Sequence, residues 1–182
     1  SVDNKLYVAG EFINADNKPA RNIASWDGLI WDSLAGGMQG GGPALSLTRY
    51  NNSIYVGGYF RYSYSNGIRK ITNGLARWNG NSWDSVGSAF HPSGGPWQMI
   101  QDNGMLYLAG SFDSVGTFFS QSIVEFDGTN YIPIGIPGTY GNGRGASACV
   151  FYNNELYLGG NFRDSTISIY DFAKWNNSQW IN

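Results

Sequence analysis

The residues able to move protons, attack carbonyls or hold a metal are few and scattered. There is one histidine, His91, one cysteine, Cys149, and thirteen acidic residues against eleven basic ones. His91 precedes Pro92 in a Gly/Pro/Ser-rich stretch, where a turn role is expected rather than general-base work. Cys149 stands beside Val150 and Phe151 in an apolar run, which points to packing and not to a nucleophile. Asp27 and Asp127 read as turn formers, because Asn79 and Asn176 stand at the matching places of the other repeats. No calcium loop of the EF-hand kind is present. The expectation is therefore no catalytic residue, no metal site and no cofactor in this chain.

A different chemistry is written in the variable segments. Arg61, Tyr62 and Tyr64 lie together in Arg61-Tyr62-Ser63-Tyr64-Ser65, and Phe118 and Phe119 lie in Thr117-Phe118-Phe119-Ser120. The linkers add His91 with Trp97 close by, and Tyr140 with Arg144. Aromatic rings with arginines on loops stack on sugar rings or anchor a protein partner. These nine residues form the candidate ligand-binding set. The plain alternative stands beside it: Phe118 and Phe119 tuck under their loop, and Arg61 is simply solvated.

What must position these residues is a repeat. Asn51-Asn52-Ser53-Ile54-Tyr55-Val56-Gly57-Gly58-Tyr59-Phe60 has three counterparts, centred on Tyr7, Tyr107 and Tyr157. The four tyrosines are separated by 48, 52 and 50 residues. A period near fifty marks a repeat architecture. Each repeat has a second anchor, an aromatic pair five apart around Asp-Gly, Asn-Gly or Asn-Asn: Trp26 and Trp31, Trp78 and Trp83, Phe126 and Tyr131, Trp175 and Trp180. Such dipeptides between apolar runs signal hairpins, because both central residues tolerate positive φ. The paired aromatics are expected to face each other across two strands. A third run precedes the Asn-rich turn: 44–50, 97–102 and 146–152. No segment has a helical period. Four short antiparallel strands per repeat make a blade of a β-propeller.

The Gly pair after the second strand and the Trp on the third resemble kelch-type repeats of galactose-oxidase-like propellers. The fuller string, Tyr-Val-Gly-Gly-x-Phe followed by Ala-Arg-Trp-Asn-Gly-x-x-Trp, is similar to repeats of bacterial secreted surface proteins and of fungal cortical cell-polarity markers. Ala9 and Ala109 in place of the first Gly, and Phe126 with Tyr131 in place of Trp, depart from the pattern. The resemblance implies an all-β propeller segment of four blades, approximately 1–40, 41–92, 93–142 and 143–182, the first without its inner strand. Both ends cut a repeat, so further blades of the same chain are expected. Galactose-oxidase chemistry needs several copper ligands with more than one His, so the resemblance does not extend to that activity.

Composition narrows the partners. Net charge is −2, and no basic run provides a footprint for nucleic acid. No apolar run approaches the roughly 18–20 residues of a membrane-spanning helix. A single cysteine rules out an internal disulfide framework. Low charge with abundant Asn, Ser, Gly and Tyr leans toward an extracellular or cell-surface location. The expected function is a non-enzymatic recognition or adhesion module that binds a glycan or protein through its loops. The alternatives are a structural or assembly subunit, and part of an enzyme whose active-site residues lie elsewhere.

Overall fold

The computed structural model describes residues 4–91, 94–136, 145–165 and 167–182. They divide into two compact units, parting between Ala89 and Phe90. The fold is all-β. Every sheet is antiparallel, and the only helical element among the described residues is one 3-10 turn, Leu34–Gly36.

The first unit holds two meander sheets, in which each strand pairs with the sheet's own next strand in chain order. The first sheet has three strands, Leu6–Ala9, Ile23–Trp26 and Trp31–Asp32. The second has four: inner strand Ala44–Tyr50, second strand Ser53–Gly58, third strand Leu75–Trp78 and outer strand Trp83–Ser85. The second unit repeats the four-stranded pattern twice. The third sheet runs Pro96–Asp102, Met105–Gly110, Ile123–Phe126, Tyr131–Pro133, and the fourth Gly145–Tyr152, Glu155–Asp164, Ile169–Trp175, Trp180–Ile181.

Two kinds of turn fix the registers. Inner and second strands join through Asn51-Asn52, Asn103-Gly104 and Asn153-Asn154. Both residues of each turn have positive φ, between 45° and 79°. That is the two-residue turn whose twist matches the flanking strands, and Asn and Gly adopt it at least cost. Third and outer strands join differently from the sequence expectation. The Asp-Gly and Asn-Gly pairs are not two-residue turns but open four-residue loops. In the first, the Asp27 amide donates to the Ile30 carbonyl, while Asp27 Oδ1 accepts the amides of Leu29 and Ile30, both at 2.9 Å. Asn79, Asp127 and Asn176 repeat this capping at their own loops. A side-chain oxygen thus satisfies two loop amides, which is the physical reason for Asp or Asn at that place.

The aromatics five apart do stand opposite each other, Trp26 with Trp31, Trp78 with Trp83, Phe126 with Tyr131 and Trp175 with Trp180. Ring centroids lie 6.2, 5.1, 4.8 and 5.2 Å apart in that order. Trp83 is fully buried, and its indole N–H donates to the Leu34 carbonyl at 2.8 Å. This bond fastens the outer strand of the second sheet to the turn that follows the first. Trp180 donates in the same way to the Ile134 carbonyl, which follows the third sheet. Each unit has a core filled by such facing residues. Ile23, Leu34 and Met38 meet Ile54, Val56, Trp78 and Trp83 in one, and Ile123, Ile134 and Ile136 meet Leu156, Leu158 and Trp180 in the other.

The second Gly of each pair has a steric cause in three of the sheets. A Cβ at Gly58 would fall 2.3 Å from the Pro43 carbonyl oxygen, one at Gly110 2.4 Å from that of Gly95, and one at Gly160 2.3 Å from that of Gly145. The inner strand crosses there at a register shift, too close for any side chain. At Gly159, the first of its pair, a Cβ would meet nothing nearer than the Asp171 carbonyl oxygen at 4.0 Å, and Ala109 stands at the matching place of the third sheet.

Candidate functional site

The segments read from sequence as variable loops are built of β-structure. Between the second and third strands of the second sheet, Tyr62–Ser65 and Ile68–Ile71 form a hairpin around Asn66-Gly67, both with positive φ. The linker strand Met38–Gln39 pairs with Tyr62–Ser65 and completes a small three-stranded sheet. In the second unit, Ser114–Val115 and Phe118–Phe119 form the matching hairpin, and Phe90–His91 adds the third strand. The first sheet carries only the two-residue hairpin Asn14–Ala15 with Lys18–Pro19. In the fourth, the long strands themselves run on through Arg163 and Tyr170.

Alternation within the first small sheet sorts its residues. Ser63 and Ser65 point inward and are buried, whereas Tyr62 and Tyr64 share the half-exposed face. Arg69 lies directly across from Tyr64, and Ile71 and Gln39 flank Tyr62. The Arg69 guanidinium sits over the Tyr62 ring, 4.6 Å from its centroid, and that of Arg61 lies 6.0 Å away. Both arginines are exposed. The Arg69 cation–π contact orients the ring and leaves guanidinium donors directed at solvent. Arg61, Tyr62 and Tyr64 are thus brought together as one surface. Arg69 and Gln39 belong to that surface and were missed in the sequence reading. The signal for Arg69 was present: Asn66-Gly67 between alternating Tyr-Ser-Tyr-Ser and Ile-Arg-Lys-Ile is a hairpin pattern.

In the second unit, His91, Ser114 and Phe119 form one cross-strand row, and Phe90, Val115 and Phe118 the next. The second row faces inward. Phe90 and Val115 are buried, and Phe118 is half-buried with its ring 6.4 Å from that of Tyr131. The first row faces outward, with Phe119 53% exposed and His91 exposed. So Phe118 tucks under as the plain reading held, and Phe119 does not. His91 is a strand residue rather than the turn residue expected from its Pro neighbour. Trp97 is half-buried on the inner strand of the third sheet, at the register shift between Pro96 and Gln98, and does not belong to the small sheet. Tyr140 and Arg144 lie outside the described residues.

The acidic residues are engaged elsewhere. Asp84 accepts from Lys70 at 3.0 Å and Arg77 at 3.2 Å. Burial works against its charge, but those hydrogen bonds win and hold its pKa below the usual carboxylate range. Glu155 is held low chiefly by Lys174, 3.0 Å away. Glu125 is the contrary case. Burial pushes it above the ordinary value despite a hydrogen bond from Tyr107, whose own pKa burial and then Glu125 raise. The Cys149 thiol is buried in the core of its unit, and burial pushes it up to about 12. That state is a poor nucleophile at neutral pH. Among the described residues, no group of three or more His, Cys, Asp or Glu side chains is placed to share a metal ion. No helix among them is long and apolar enough to cross a membrane.

No family model matches the chain, and no curated protein matches it.

Proposed function

We propose that the chain is a kelch-like β-propeller segment, serving as a non-enzymatic recognition or adhesion module of a secreted or cell-surface protein. The meander sheets act as scaffold, and the small sheets inserted in them bind a glycan or a protein partner. The observation that carries this reading is the face formed by Arg61, Tyr62, Tyr64 and Arg69. A rigid hairpin presents half-exposed aromatics beside guanidiniums that no carboxylate neutralises by a described ion pair. Such a surface suits a ligand with planar or ring character and hydrogen-bond acceptors, and a sugar meets both needs. The His91–Phe119 row offers a second contact of the same kind. The four repeats with sequential strand order support the propeller architecture.

The test is a glycan array and a pull-down with the chain and with an Arg61→Ala, Tyr62→Ala, Arg69→Ala variant. The expected result is loss of binding with the melting temperature nearly unchanged, because these side chains cover no core. Retained binding would remove the small sheet from the site. A collapsed melting temperature would return these residues to a purely structural role.

A further inference from the structure

We infer that Arg21, Asn22, Gln39 and Gly40, beside the Tyr62 ring, form a subsite for an anionic group, carboxylate or sulfate, carried by a sugar. The inference rests on the reading of the small sheet as a glycan-binding surface, and it names the class of glycan.

A pocket of about 160 Å³ opens where the hairpin of the first sheet meets the linker to the second, and Arg21, Asn22, Gln39, Gly40 and Gly41 line it. A site that encloses a drug-sized molecule has roughly 300–1,000 Å³, so this one takes a single group of a larger ligand. The small sheet borders it directly. Gln39 pairs with Tyr62, and a Cβ at Gly40 would strike the Tyr62 ring. Glycine there, at a φ of 80°, lets the ring stand at the rim. Inside, Asn22 Nδ2 donates to the carbonyls of Met38 and Gly42 at 3.2 and 3.3 Å. That fixes the amide and leaves its Oδ1 as an acceptor for a hydroxyl.

Arg21 supplies the charge, and the second unit shows why its partner must come from outside. The Arg21 carbonyl accepts the Met38 amide as the Gln121 carbonyl accepts the Ile136 amide, and the amides that follow them, Asn22 and Ser122, donate to Phe12 and Phe112. Arg21 and Gln121 are therefore corresponding residues, as are Ile13 and Asp113. Gln121 is buried, and its Nε2 donates to Asp113 Oδ1 at 3.1 Å. In the first unit the polar residue is an exposed arginine, and Ile13 stands where the carboxylate would be. Among the described residues, no ion pair engages Arg21, Arg61 or Arg69. The chain is acidic as a whole, yet the first unit has eight Lys and Arg against six Asp and Glu, and the second has three against seven. The excess of cations thus belongs to the unit with this pocket, where it draws anions in. A guanidinium fork matches the paired oxygens of an anionic group. The Asn22 acceptor beside it suits a hydroxyl next to the anion, which an acidic sugar has and an acidic peptide side chain lacks.

The experiment is affinity electrophoresis of the 182-residue chain through gels cast with a polysaccharide. Polygalacturonate should retard the chain, and its methyl ester, the same backbone without the charge, should not. Retardation by dextran sulfate alone would keep the site and make the anion a sulfate. Arg21→Gln should weaken binding about tenfold at an unchanged melting temperature. Lys18→Gln, the same loss of charge outside the pocket, should change neither. Equal retardation by the ester, or an equal loss with Lys18→Gln, would overturn the inference and leave the glycan reading standing; the ester comparison needs no variant. Equal binding of polyglutamate would overturn it in favour of an acidic protein partner. Failure with every charged polysaccharide would overturn it as well, and the neutral sugars of the glycan array then decide whether the reading beneath it also falls.

Discussion

The first and second sheets stand in the same unit and carry nearly the same residues, yet those residues lead different lives. Leu6, Val8, Ala24, Trp26 and Trp31 in the first match Ile54, Val56, Ala76, Trp78 and Trp83 in the second, strand for strand and register for register. Trp78 is 7% and Trp83 0% exposed, whereas Trp26 is 38% exposed and Trp31 only half-buried. The indole of Trp83 has a carbonyl from the neighbouring sheet's following turn, and the stacked pair Trp26 and Trp31 lies open. Residue type does not decide burial here. What decides it is whether another sheet of the same kind is laid against that face. In these repeats the aromatic pair is a fastening, and its energy is realised only when there is something to fasten to.

The largest expected effect separates those two pairs. Trp83→Ala should cost about 3–5 kcal/mol, the range for truncating a buried aromatic. Trp31→Ala should cost about 1 kcal/mol or less, as for surface changes. Urea melts of the two variants side by side check this. Equal losses would mean that the pair stabilises its own hairpin and owes nothing to the neighbouring sheet.

A second contrast uses the glycines. Gly58→Ala forces a Cβ against main chain at a φ of 154°, and about 1–3 kcal/mol of strain is expected. Gly10→Ala should stay within about 0.5 kcal/mol of the parent. Thermal melts of both variants decide it, and a loss at Gly10 as large as at Gly58 would show that the first sheet is already crossed by a strand.

Smaller, and seen only in acid, is a difference among the four-residue loops. The Asp27 carboxyl is held below the usual range by the amides of Ile30 and Leu29, and that of Asp127 by Asn130 and Thr129. A carboxyl depressed in the folded state contributes stability that is present above its unfolded pKa and lost as pH falls through the folded value. The loops capped by Asn79 and Asn176 have no such proton to gain. Replacing Asp27 and Asp127 together by Asn should therefore flatten the fall of melting temperature below about pH 4. A curve that keeps its slope would assign the acid sensitivity to other groups, with Asp84 the first to try.

Glu125 runs in the opposite sense. Its pKa is raised in the folded state, so its ionisation weighs against folding as pH rises through that value. Glu125→Gln should raise the melting temperature slightly at pH 8 and leave it unchanged at pH 4. A lowered value at pH 8 would mean that the ionised carboxylate is a net stabiliser.

Much of the scaffold was legible because its signals are local. The Asn-rich turns, the facing aromatics and the sequential strands follow from short strings whose conformations are set by positive φ and cross-strand contact. The Asp27 and Asp127 loops were misjudged in kind, because Asp-Gly serves both a two-residue turn and a longer loop capped by the Asp side chain. The small sheets were not legible as sheets. Their third strands, Met38–Gln39 and Phe90–His91, come from linkers whose pairing partners lie more than twenty residues further along the chain. That distance hides them from any pattern of spacing. Of the candidate site, the cluster at Arg61, Tyr62 and Tyr64 was readable from composition, whereas its completion by Arg69 and Gln39 needed the pairing. Nothing in the sequence separated Phe118 from Phe119, since a two-residue strand sends neighbours to opposite faces and only its partners tell which faces water.

The most direct measurement is fluorine NMR of the chain labelled with 5-fluorotryptophan, each resonance assigned by single Trp→Phe substitution. The shift on transfer from H2O to D2O reports contact of each indole with solvent. Trp26 and Trp31 should show the solvent shift, and Trp78, Trp83 and Trp180 should show almost none. Shielding of Trp31 equal to that of Trp83 would contradict the claim that an adjacent sheet, rather than the repeat's own sequence, buries the aromatic pair.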